Sequence, residues 1–127
     1  MSKTIRIALA SAMALGVLSA APVASAQAEV SRAGGCSGGS RWEMKAGRDN
    51  GRIGFEYEVD QNRAGQPWKV TVRRDGHKLF STRMTTRQPS GSFSLERLVS
   101  NSAGKDHFRA FARNLRTGEV CKGSATL

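Results

Sequence analysis

From residue 41 onward, apolar and polar side chains alternate with a period of two, the pattern of strands that cover one face and expose the other. Arg41-Trp42-Glu43-Met44-Lys45-Ala46 predicts a first strand, and Arg48-Asp49-Asn50-Gly51 a turn built on Asn-Gly, the strongest hairpin dipeptide. Ile53, Phe55, Tyr57 and Val59 then share a face, with Gly54, Glu56 and Glu58 opposite. After a polar loop from Asp60 to Pro67, Trp68, Val70 and Val72 alternate with Lys69, Thr71 and Arg73, and Asp75-Gly76 turns the chain. Residues 77–86 predict another strand, whose inward side is open between Leu79 and Phe80. Gln88-Pro89-Ser90-Gly91 breaks it, and Phe93 and Leu95 begin a strand reaching Val99. Beyond a loop at Asn101-Ser102-Ala103-Gly104, Phe108, Ala110 and Ala112 alternate with His107, Arg109, Phe111 and Arg113. Arg116-Thr117-Gly118 leads into a last strand from Glu119 to Leu127. Seven strands, closely spaced turns and no helical periodicity predict an all-β antiparallel sandwich over residues 40–127. Trp42, Phe55, Tyr57, Trp68, Val70, Val72, Phe93, Leu95 and Phe108 are its expected core.

The start of the chain follows different rules. Lys3 and Arg6 precede an apolar run from Ile7 to Pro22, which ends in Ala24-Ser25-Ala26. A positive segment, an apolar segment and a small-x-small site define a secretory signal peptide over residues 1–26, too short and wrongly flanked for a membrane span of about 20 residues. The mature protein is expected to be secreted, with no membrane span, or held loosely at the wall by its own affinity. Residues 27–39 are Gly/Ser-rich and non-periodic and predict a tether. Cys36 lacks the Leu and the adjoining apolar run of a lipoprotein cleavage site.

Export makes the cysteines readable. Cys36 and Cys121 are the two in the chain, and an even count in a small exported domain predicts a disulfide. With His77 and His107 they form no metal spacing, so neither a metal site nor a cofactor is expected.

Charge adds a partner class. Without residues 1–26 the chain keeps 18 Lys+Arg against 10 Asp+Glu, a net charge of +8 with His neutral. Arginine dominates, and its planar fork suits phosphate and carboxylate. Such a balance favours anionic polymers: wall polymers, nucleic acid, acidic polysaccharide or anionic headgroups. Solubility alone is the competing account.

Three motifs carry a resemblance. The Cys36-Ser37-Gly38-Gly39 start, the Asp60-Gln61-Asn62-Arg63-Ala64-Gly65-Gln66 loop and the Thr117-Gly118-Glu119-Val120-Cys121 ending make the mature chain similar to uncharacterised small secreted proteins of high-GC Gram-positive bacteria. Trp68 on the third strand, with Phe108 to Asn114 and the final hairpin, resembles immunoglobulin-like and fibronectin type III modules. The resemblance implies an immunoglobulin-like sandwich and an extracellular location, and no activity. The cysteines flank the domain rather than bridging its centre, so the antibody disulfide pattern is not implied.

Among candidate sites, the basic residues come first. If Trp68, Val70, Val72, Phe108, Ala110 and Ala112 point inward, immunoglobulin-like topology gathers Lys69, Arg73, Arg109, Arg113 and Lys122 outward around Phe111. That patch suits polyanion contact; the alternative is a solvated face with Phe111 under arginine stems. Asp60-Gln61-Asn62-Arg63-Ala64-Gly65 loosely matches a calcium loop but lacks a ligand at Ala64 and a Glu at position twelve, Thr71, so an Asx turn is expected. Glu56 and Glu58 pair on one outer strand face, without the apolar pocket a glycosidase acid needs. No nucleophile elbow is present, and the chain is expected not to be an enzyme. Thr85 to Gly91 could act as a protruding basic loop on a protease. The expected function is non-enzymatic binding by a monomer, of an anionic envelope or extracellular polymer through the basic face. The alternative is a secreted protein partner, as inhibitor or adhesion module, met by the loops.

Overall fold

A computed structural model of the chain describes residues 29–127; the predicted signal peptide lies outside them. Eight strands follow in order: β1 (Glu29–Gly35), β2 (Arg41–Asp49), β3 (Arg52–Asp60), β4 (Pro67–Arg74), β5 (His77–Thr85), β6 (Ser92–Ser100), β7 (His107–Asn114) and β8 (Val120–Thr126). They form two antiparallel four-stranded sheets, ordered β1-β2-β3-β6 and β5-β4-β7-β8.

The alternation along each strand is what stacks the two sheets. Met44, Ala46, Ile53, Phe55, Tyr57, Val59, Phe93 and Leu95 from one sheet meet Trp68, Val70, Val72, Phe108, Ala110, Ala112, Cys121 and Ala125 from the other, all buried. Ring pairs cross the layer, with Phe55–Phe108 centroids 5.3 Å apart and Trp68–Phe93 centroids 6.1 Å apart. Tyr57 sits in this layer with its hydroxyl unpartnered among the described residues, and burial pushes its pKa far up.

The turns obey their residues. Asn50 and Gly51 take φ of 51° and 80°, and Asp75 and Gly76 take 52° and 85°. Both β2–β3 and β4–β5 therefore close with left-handed central residues, the geometry that matches strand twist.

Two expectations need correction. The strands number eight, because the predicted tether contains β1, which pairs along its whole length with β2 from Glu29↔Gly47 to Gly35↔Arg41. Its inward register positions are Val30, Arg32 and Gly34, too mixed in character to show alternation. Trp42 is half-buried rather than fully enclosed. Its indole lies between two strand backbones: a Cβ on Gly34 would come within 2.9 Å of its Nε1, and one on Gly123 within 2.8 Å of its Cε3. The open side of β5 also has a cause. A bulge shifts the register, so Val72 pairs with Phe80 but Arg73 with Lys78. Leu79 is the extra residue, and both it and Phe80 are half-buried.

The expected disulfide is present, joining Cys36 to Cys121 across 85 residues of sequence. A glutamate reinforces it. Glu119 Oε2 accepts from the Gly38 and Ser40 N–H groups, each at 2.9 Å, and its Oε1 accepts from Ser40 Oγ at 2.8 Å. Ser37 N–H donates to Val120 O at 2.8 Å. The Cys-Ser-Gly-Gly and Thr-Gly-Glu-Val-Cys segments are thus one clasp, which ties the β1–β2 connection to β8.

Two stability measurements follow. Replacing both cysteines by Ala should lower the unfolding free energy by about 4 kcal/mol, as the lost loop constraint requires, read by denaturant titration. Gly123→Ala should cost about 1–3 kcal/mol, because the new methyl group must displace Trp42 or the strand; an unchanged denaturation midpoint would show that the indole yields freely.

Candidate functional site

Strand pairing decides which cations meet. β4 and β7 pair so that Val70 opposes Ala112 and Val72 opposes Ala110 inside the sandwich. On the outer side the same register sets Lys69 against Arg113, Thr71 against Phe111 and Arg73 against Arg109. β8 adds Lys122 directly opposite Phe111. All six residues predicted for the patch, Lys69, Arg73, Arg109, Phe111, Arg113 and Lys122, are exposed and share one sheet face.

β5 extends this face in a way the sequence did not show. Arg83 pairs with Lys69, and Lys78 with Arg73 across the bulge. The face therefore carries three rows: Arg83-Lys69-Arg113, then Ser81-Thr71-Phe111-Lys122, then Lys78-Arg73-Arg109-Ser124. Thr71 and Ser81 hydroxyls meet at 3.2 Å within the middle row. No Asp or Glu occupies an outward position of β4, β5, β7 or β8. Among the described residues, the one ion pair is Arg74–Asp106, at 3.8 Å and off this face. Like charges directly opposite on neighbouring strands destabilise a sheet, so Lys69↔Arg113 and Arg73↔Arg109 each carry a cost.

Phe111 stands in the middle of the cations, 42% exposed. One shallow depression beside it, of about 500 Å³, is lined by Thr71, Arg73, Arg109, Lys122 and Ser124. A second, on the side of the disulfide, is lined by Gly35, Cys36, Ser37, Val120 and Lys122. The ring is a ridge between them.

The opposite face has the opposite sign. Cross-strand neighbours there are Glu43↔Glu58, Lys45↔Glu56 and Glu56↔Glu96. Ser94 Oγ donates to Glu56 Oε2 at 3.0 Å. Glu58, expected from sequence to lie outside any apolar pocket, is raised above the ordinary carboxylate value. Partial burial is the main cause, then the charges of Glu43, Glu56 and Asp60, with Lys45 opposing. Glu56 and Glu58 share an outer face as predicted, on open sheet.

The loop candidates have packing roles. Asp60 Oδ1 accepts from Asn62 N–H at 3.0 Å, the expected Asx turn. Gln61 Oε1 accepts from Trp68 Nε1 at 3.0 Å and from Asn114 Nδ2 at 3.2 Å. The segment near Thr85 to Gly91 is bound to this loop: Thr86 is buried, its Oγ1 donates to Arg63 O at 2.6 Å and accepts from Gln66 N–H at 2.9 Å. A Cβ on Gly91 would lie 2.1 Å from Arg63 N. Thr85 and the tip from Arg87 to Ser90 are exposed, and Thr86 and Gly91 are buried.

Compared with known protein families, curated proteins and solved structures, the chain finds no match in any of the three.

A carboxyl whose pKa is raised by folding binds more protons folded than unfolded, so stability falls as pH rises through that window. Glu58→Gln should therefore raise the melting temperature at neutral pH, and the gain should fade as pH falls through the raised folded value and be gone below the ordinary value of 4.5. Thermal melts of both proteins across that range check the sign.

Proposed function

We propose that this chain is a secreted, non-enzymatic binding module that holds an anionic polymer, of the envelope or of its surroundings, on the outer face of β5-β4-β7-β8. The observation that carries the reading is the acid-free set Lys69, Arg73, Arg83, Arg109, Arg113 and Lys122, in which every member but Lys122 stands opposite another cation. Solubility requires charge but does not require it to be gathered opposite like charge. A polyanion laid over these rows would remove the repulsion and release its own counterions.

The strand order supports an immunoglobulin-like reading in the fibronectin type III arrangement. With β1 set aside, β2 to β8 take the places of strands A, B, C, C′, E, F and G, and Trp68 falls on C. β1 is an addition on the edge of strand A. The disulfide is what an exported domain of this size would carry. Because the Thr85 to Gly91 segment is hydrogen-bonded down onto its neighbour, the sheet face is favoured over the loops as the contact surface.

The test is retention of the purified, disulfide-intact protein on immobilised inorganic polyphosphate and on isolated anionic wall polymer over a salt series. Affinity should fall by about two orders of magnitude between about 50 and 200 mM salt. The double variant Arg109→Glu, Arg113→Glu should bind at least about tenfold more weakly, with its melting temperature within a few degrees of the parent. Undiminished binding by the double variant would refute the assignment of this face.

A further inference from the structure

We propose that the polymer held on the basic face is single-stranded nucleic acid, with Phe111 as the platform on which an unpaired base stacks. This rests on the polyanion reading and narrows it. Cations alone suffice to hold phosphate, and a polymer of phosphates and aliphatic alcohols would leave Phe111 unused. The ring stands in the middle row between Thr71 and Lys122, with the Lys69–Arg113 pair on one side and the Arg73–Arg109 pair on the other. Successive outward positions on a strand are about 6.7 Å apart, comparable to the step between successive phosphates of an unstacked strand. The two cation pairs lie two such steps apart, about 13 Å, so a chain crossing these rows can set phosphates two nucleotides apart on the two pairs and lay a base against the ring between them.

The shape agrees. Phe111 walls two depressions, one edged by guanidinium and hydroxyl groups from Arg73, Arg109, Thr71 and Ser124, the other by Gly35 and the Cys36 end of the disulfide. A flat group can lie against the ring from either side while Lys122, which lines both, reaches the backbone. Cationic grooves with stacking rings bind single strands with little sequence preference, because every base presents a face. Duplex is disfavoured: its bases are already stacked, and this flat sheet face projects no element into a groove.

The test compares two labelled oligonucleotides of equal phosphate count, oligothymidylate and a fully abasic strand, by fluorescence anisotropy at fixed salt. The parent protein should bind the base-bearing strand about tenfold more tightly than the abasic one. Phe111→Ala should abolish that preference and leave abasic binding unchanged, whereas Phe111→Trp should keep it. Equal affinity of the parent for the two strands, or a preference that survives Phe111→Ala, overturns the stacking proposal. If both strands then bind equally and both weaken in the Arg109→Glu, Arg113→Glu variant, the polyanion reading stands without the nucleic acid. If neither strand nor polyphosphate binds, both readings fall.

Discussion

Displacing β4 by one residue against β7 would undo both halves of this molecule at once. The register that lays Val70 on Ala112 inside also lays Lys69 on Arg113 outside. Because side chains alternate with a period of two, a slip would turn every apolar residue of one strand to water and every cation into the core. Burial of Trp68, Val70, Val72, Phe108, Ala110 and Ala112 is large enough, at roughly 25 cal/mol per Å² of apolar surface, to hold that register against the repulsion it creates. The charged face is therefore a dependent of the core: hydrophobic burial holds the cations in positions that electrostatics alone would disperse.

This dependence sets how much of the fold and of the basic face is legible in the sequence. Where a strand alternates cleanly, as in Ile53 to Val59 or Phe108 to Ala112, the inner and outer sets follow from the period, and with them five of the basic patch's cations and Phe111. Where the alternation breaks, legibility stops. The Leu79 bulge puts two apolar residues in succession, so β5 could not be oriented, and Arg83 and Lys78 were lost from the patch with it. β1 was hidden for another reason. It pairs with β2 through its backbone, while its residues include glycines and an exposed Arg32 at an inward register position, and backbone pairing leaves no periodic trace in side-chain polarity. The half-burial of Trp42, expected in the core, was not accessible either, because its indole is framed by the backbone of a neighbouring strand at Gly34 and by Gly123, 81 residues further along the chain.

The motifs that look most like chemistry turn out to hold the chain together. Glu119 closes the turn that carries Cys36; Gln61 bridges the indole of Trp68 and the amide of Asn114; Thr86 binds two loops to each other. Polar residues of these kinds, drawn together from distant segments, satisfy backbone and side-chain groups that strand ladders leave over. The surface chemistry, by contrast, is carried by unremarkable-looking lysines and arginines whose meaning appears only when four strands are laid side by side.

The two outer faces differ in sign, and the sheets that carry them pack only about 10 Å apart. Such a molecule is a short electrical lever. In the field of an anionic surface it would feel a torque before it felt contact, arriving with β4 and β7 downward and the Glu43, Glu56, Glu58 and Glu96 side facing out. A layer of molecules so oriented would still bring each molecule's net charge of +8 to the surface it covers. That charge would lie against the surface, and the glutamates would be what the next arriving molecule meets.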